Sequence, residues 1–152
     1  MNRMLTLLAA GALCFGAGAR AQDQTVQFTQ ADGTRVPLTS GPHACAADLL
    51  VWTTTPWTLV SNTAVAARAD VTYVLARPAD GSTPVVVAEP LLTYALGEGA
   101  EVLATFTGAD MERWHYTRPF ELVAFPEGAD THFVVLADYV TTEDGTGLVH
   151  QA

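Results

Sequence analysis

Three adjacent threonines, Thr53, Thr54 and Thr55, stand at the end of an apolar run in "LLVWTTTPWTLVSNTAVA", residues 49–66. Pro56 follows them, and Trp52 and Trp57 lie on either side. Each hydroxyl is both a hydrogen-bond donor and an acceptor, so the row invites a functional reading. The local reading is simpler. Thr favours strands and Pro56 would end one, so the same residues serve as a strand terminus with Asn62 in a turn. His150 invites a metal or catalytic role, but His43, His115 and His132 show no ligand spacing, and H-E-x-x-H and C-x-x-C are both absent. A lone His at a strand end is more commonly a hydrogen-bonded structural residue. "GEGAE" lacks the spacing and the Lys of a phosphate loop, and no G-x-S-x-G occurs. Glu143-Asp144 beside Gly145 reads as a turn with a solvated face. No cofactor and no metal site is expected.

The elements that would position these residues are short strands broken by turn signals. "TVQFTQ" alternates, Asp32-Gly33 is a turn, and "TRVPLT" follows. "DLLVWTT", "VTYVLAR" and "PVVVAE" are β-rich, with "PADGST" as a turn between the last two. Glu89 to Leu96 has apolar residues at helical spacing, Pro90 in its first turn and Gly97 as a stop. "EVLATFTG" returns to strand, "PFELVAF" is a candidate strand, and "HFVVLADYV" is the strongest strand signal. "TGLVH" then follows the Asp144-Gly145 turn. Many short strands with one or two helices imply a mainly β, barrel- or sandwich-like domain.

With 152 residues the chain can form one domain with a real core. Arg3, an apolar run from Leu5, and Ala19-Arg20-Ala21 match the three parts of a secretory signal peptide over residues 1–21. The run is too short and too rich in Gly and Ala for a stable membrane span. Without that segment five arginines face 16 acids, a net of −11, and Cys45 is the single thiol. One thiol closes no internal disulfide. Such an acidic chain is poorly equipped to hold a phosphate backbone by itself.

Three stretches change the weighing. "WTTTPWTLVSNTAVA" (52–66), "GADMERWHYTRPF" (108–120) and "DYVTTEDGTGLVH" (138–150), in this order, closely resemble the editing domain of isoleucyl-tRNA synthetase. "VTYVLARP" and "VVVAEPLLTYALGEGAEVLATFTG" are similar to that family as well. The resemblance runs from about Arg35 to Ala152; residues 22–34 read as an unrelated linker or strand. The wording is specific, since the valyl and leucyl relatives place an Arg in the threonine motif.

The resemblance implies a barrel-like editing domain and hydrolysis of mischarged valyl-tRNA. A pocket made for isoleucine rejects valine poorly, a limit for which this enzyme is the standard illustration, so a second pocket hydrolyses the wrong product. Carried over by position, Thr53, Thr54 and Thr55 line the catalytic site, polar through their hydroxyls and size-limiting through their methyls. His150 flanks the amino-acid side chain, Trp57 supports the wall, and Asn62 hydrogen-bonds the substrate or braces the loop. Two departures stand out. Val60 replaces a common Pro, and the sequence ends at Gln151-Ala152, before the family's Asp that holds the substrate ammonium. The resemblance thus implies a domain incomplete at its C-terminus and weak or inactive alone. The partner implied is the mischarged tRNA 3′ end, gripped by other synthetase domains, with no aminoacylation and no use of ATP. A cytoplasmic site of action follows from the family and conflicts with the signal-like start. The alternative is an exported, non-enzymatic β-domain that reuses the segment as a binding or structural module.

Overall fold

The computed structural model describes residues 47–116, 120 and 122–152 in full, and the backbone alone of three short strands, 7–9, 27–29 and 35–37. The signal-like segment, apart from residues 7–9, and the boundary expected near residue 34 lie outside the described residues. Ten strands follow in chain order: β1 (Leu7–Ala9), β2 (Gln27–Thr29), β3 (Arg35–Pro37), β4 (Asp48–Val51), β5 (Ala64–Ala67), β6 (Thr72–Arg77), β7 (Val85–Ala88), β8 (Glu101–Thr107), β9 (Phe133–Leu136) and β10 (Val149–Gln151). One α-helix, α1 (Leu92–Leu96), and three short 3-10 segments complete the elements among the described residues. The molecule is mainly β, as the sequence implies.

A seven-stranded sheet has the order β1-β4-β7-β6-β8-β2-β3, and a three-stranded sheet the order β10-β5-β9. In the first, β4 and β7 run parallel while β6 pairs antiparallel with both β7 and β8. β4 and β7 are buried along their whole length. Their unbroken apolar wording, "LLV" and "VVVA", is what a strand covered on both faces requires. Val85, Val86, Val87, Val74 and Tyr73 are each at most 1 % exposed, and they pack with Leu49, Leu50, Met111, Trp114, Val134 and Leu148 in one core. Each fully buried aliphatic side chain there contributes roughly 1.5–3 kcal/mol.

In the second sheet β5 lies between β9, parallel to it, and β10, antiparallel to it, with Val65 opposite His150. Trp52, just past β4, makes a parallel bridge to Val149 and ties the two sheets together. The helical segment expected over Glu89–Leu96 is a 3-10 turn, Glu89–Leu91, leading into the five residues of α1. Pro90 has no N–H to give the first turn, and Gly97 takes a φ of 77° just after the last. The strand expected over "HFVVLADYV" stops at Leu136. There Ala137 donates to the Ala67 carbonyl and the chain turns, closing with Val140 N–H to Ala137 O at 3.4 Å. Among the described residues of "PFELVAF" no strand forms.

Candidate active site

β4 ends at Val51, and the threonines lead into a 3-10 helix over Pro56–Ser61. Pro56 suits the first helical position, where a missing N–H costs nothing. Thr55 supplies the acceptor that starts the turn: its carbonyl oxygen receives the Thr58 N–H at 3.0 Å and the Thr58 hydroxyl at 2.8 Å. The Thr53 hydroxyl oxygen accepts from the Thr55 N–H at 3.1 Å, and the Thr53 and Thr55 hydroxyl oxygens lie 3.4 Å apart. The row is therefore a folded hook held by its own hydroxyls. Thr54 and Thr55 are exposed along it.

Asn62 follows the 3-10 helix and is 2 % exposed. Its Nδ2 faces the Ala64 carbonyl oxygen at 2.9 Å, the Gln151 carbonyl oxygen at 3.1 Å and His150 Nδ1 at 2.8 Å. Its Oδ1 accepts from the buried Tyr116 hydroxyl. One amide thus joins the threonine segment to β5, to β10 and to the Trp114–Tyr116 segment.

His150 comes from β10, reached through the loop "EDGTG". Gly145 and Gly147 have φ of 73° and 74°, left-handed conformations that a side chain would strain. A Cβ on Gly145 would sit 2.9 Å from the Trp52 ring, and one on Gly147 only 2.4 Å from Ala88 Cβ. Ala88 N–H to Thr146 O (2.9 Å), Trp52 N–H to Leu148 O (2.9 Å) and Tyr73 Oη–H to Gly147 O (2.7 Å) then fasten the loop across β7, β4 and β6. So fastened, β10 delivers His150 Nε2 to 3.0 Å from Thr58 Oγ1. The Thr58 and Thr55 hydroxyl oxygens are 3.3 Å apart, which completes a line from the imidazole to the threonine hook.

Burial lowers the His150 pKa below its ordinary value, with a hydrogen bond at Thr58 opposing the shift. Tyr116 is driven well above the usual phenol range, again by burial, against the pull of its bond to Asn62. Both shifts favour the uncharged ring.

Of the residues singled out in the sequence, Thr53, Thr55, Asn62 and His150 meet in one hydrogen-bonded cluster. Thr54, between Thr53 and Thr55, is exposed. Trp57 lies mostly in solvent, 72 % exposed, instead of packing behind the threonines as a wall. Two members were missed. Thr58 stands three residues after the row, and Tyr116 lies within "GADMERWHYTRPF", a stretch noted for its wording and not for any single residue. A cavity of about 190 Å³ is lined by Trp52, Tyr139, Thr141, Asp144, Leu148 and Val149, and by no member of this cluster. Val149 and His150 alternate along β10, so that cavity and the His150 network lie on opposite faces of the strand. Among the described residues, no three His, Cys, Asp or Glu residues gather to hold a metal, and no helix is long and apolar enough to cross a membrane.

No family model matches the chain. In overall fold it is similar to the CP1 domain of a leucyl-tRNA synthetase (GlLeuRS-CP1), with a TM-score of 0.57 at 19 % identity over 69 % of this chain and 39 % of that one. The editing domain of the cytosolic leucyl-tRNA synthetase of P. falciparum gives 0.52 at 14 % identity, over 68 % and 41 %. The fold is therefore that of an aminoacyl-tRNA synthetase editing domain.

Sequence narrows the class. Over 119 residues the chain is 71 % identical to the isoleucine–tRNA ligase of Streptomyces coelicolor, covering 78 % of this chain and 11 % of that enzyme. The ligase of Thermus thermophilus is 48 % identical over 106 residues, 70 % of this chain and 10 % of the enzyme. The chain corresponds to a portion of isoleucyl-tRNA synthetase with the editing-domain fold, and it spans about a tenth of the length of the curated relatives it matches.

Proposed function

We propose that the chain carries the post-transfer editing site of isoleucyl-tRNA synthetase, which hydrolyses valine from mischarged tRNA. The observation that supports this most is the meeting of the hydroxyl hook at Thr53–Thr55 with His150, through Thr58, in a segment 71 % identical to the synthetase. In the reaction water attacks the ester carbonyl that joins valine to the terminal adenosine. The carbon–oxygen bond to the ribose then breaks, and a proton goes to the departing ribose oxygen. Such a step needs a placed water and polar groups near the developing oxyanion.

In this reading Thr53, Thr54 and Thr55 present hydroxyls to the adenosine and the water, while their methyl groups limit the space for the acyl side chain. His150 closes the far flank as a neutral ring. Asn62 acts as a brace, and the exposed Trp57 is free to meet the incoming nucleotide. The tRNA is held by other domains of a synthetase, because a chain of net charge −9 has little electrostatic grip on a phosphate backbone. A cytoplasmic site of action goes with this function.

The test is deacylation of valyl-tRNA and isoleucyl-tRNA by the purified chain, and by an isoleucyl-tRNA synthetase carrying this segment as its editing domain. Valyl-tRNA should be cleaved in preference by the full synthetase, and slowly or not at all by the chain alone. Thr55→Ala or His150→Ala should raise cleavage of isoleucyl-tRNA relative to valyl-tRNA. An unchanged ratio in both variants counts against these roles.

A further inference from the structure

We infer that Asn62, oriented by two backbone carbonyls and by Tyr116, is a positioning residue that sets the tautomer of His150, keeping its hydrogen on Nε2 and leaving Nδ1 bare. The inference rests on the editing reading only for its functional meaning; the chemistry comes from the contacts.

A side-chain amide has a donating end and an accepting end, and its surroundings decide which faces where. The Asn62 nitrogen faces two carbonyl oxygens, those of Ala64 and Gln151, at 2.9 and 3.1 Å. Carbonyl oxygens only accept, so the end turned to them must be the NH2. At the other end, the Tyr116 hydroxyl donates to Oδ1. Both ends thus dictate one orientation. The same NH2 is 2.8 Å from His150 Nδ1; an amide nitrogen does not accept, so Nδ1 must, one hydrogen pointing to it and the other shared between the two carbonyl oxygens. A neutral imidazole with an accepting Nδ1 carries its hydrogen on Nε2. That N–H donates to Thr58 Oγ1 at 3.0 Å, and the Thr58 hydroxyl donates in turn to the Thr55 carbonyl oxygen at 2.8 Å. Every donor in the line Tyr116, Asn62, His150, Thr58 points the same way, an arrangement in which each bond polarises the next.

The line also resists protonation of the ring. An imidazolium would turn an Nδ1–H against the Asn62 NH2, donor against donor. Besides Tyr116, a second imidazole touches Asn62: His132 Nε2 is 3.1 Å from the Asn62 carbonyl oxygen, with Thr131 Oγ1 2.8 Å from its Nδ1. For an aminoacyl ester that carries an α-ammonium, a neutral imidazole beside the acyl group avoids repulsion between two cations.

The test is nitrogen NMR of the imidazole in the 15N-labelled full chain, with His150 assigned by a His150→Gln spectrum. At neutral pH the His150 signals should be those of a protonated Nε2 and a bare Nδ1. Tyr116→Phe removes one of the groups that orient the amide but leaves both carbonyl oxygens facing its NH2, so the Nε2–H form should persist. Asn62→Asp replaces the donor by an acceptor; the hydrogen should pass to Nδ1 and the pKa should rise. Nδ1–H as the main form in the parent chain would overturn the inference. So would an Nδ1 still bare in Asn62→Asp, and the parent spectrum decides the matter by itself should that variant not fold. Loss of the deacylation reading would leave this result standing, and failure of the tautomer prediction would leave deacylation untouched.

Discussion

At the residue scale, burying a titratable ring in a neutral network ties stability to pH. The folded His150 has a pKa below the ordinary 6.5, so the unfolded chain takes up its proton first as the pH falls. The stability tied to this neutral ring is fully present above about pH 6.5 and is lost as the pH drops through the folded value. Thermal unfolding followed from pH 8 down to pH 5 (roughly the range in which histidine titrates) should show a falling Tm. His150→Gln should flatten that part of the profile. Tyr73 offers a second check. It is fully buried, with its hydroxyl donating to the Gly147 carbonyl oxygen at 2.7 Å and accepting from the Arg68 N–H at 3.0 Å. Tyr73→Phe keeps the ring but strands both partners, for a loss of about 1–3 kcal/mol in chemical denaturation. The chemistry-bearing residue types were legible in the sequence at this scale, but their partners were not. Thr58 and His150 are 92 positions apart, and Asn62 and Tyr116 are 54 apart. No local pattern reports a contact at that separation.

At the element scale, the loop before β10 is the part that delivers the imidazole. Two glycines in left-handed conformations let it lie against the Trp52 ring and Ala88, where no Cβ fits. Gly147→Ala should combine backbone strain of about 1–2 kcal/mol with overpacking of about 1–3 kcal/mol, read as a lower denaturation midpoint. Gly147→Ala should also displace β10 and weaken editing in a synthetase carrying the segment. A variant that unfolds at the parent's midpoint would contradict this account of the loop. Most strands were readable from β-branched runs and the turn residues between them. The shortened β9 and the split helical segment were not, because there a backbone partner (the Ala67 carbonyl oxygen) and a proline without an N–H outweigh the local apolar pattern.

At the scale of the whole molecule, the balance of 7 arginines and no lysine against 16 acids governs how it meets a polyanion. Binding of tRNA by displacement of counterions needs several cations on one surface. The chain alone should therefore show no saturable tRNA binding at physiological salt by filter retention. A tight isotherm that weakens steeply with added salt would refute this.

The residue wording was enough to identify the synthetase segment by resemblance and its β-rich class, and to name the threonine row and His150 as a candidate pair, because these follow from residue type and order along the chain. Tertiary structure alone decided that Thr58 connects the pair, that Asn62 joins Tyr116 to the ring, and that Trp57 faces solvent. Those facts depend on which strands become neighbours. Here β5 is set between β9 and β10 while Trp52 bridges to Val149, a choice made by burial of the whole core and not by any one stretch of sequence.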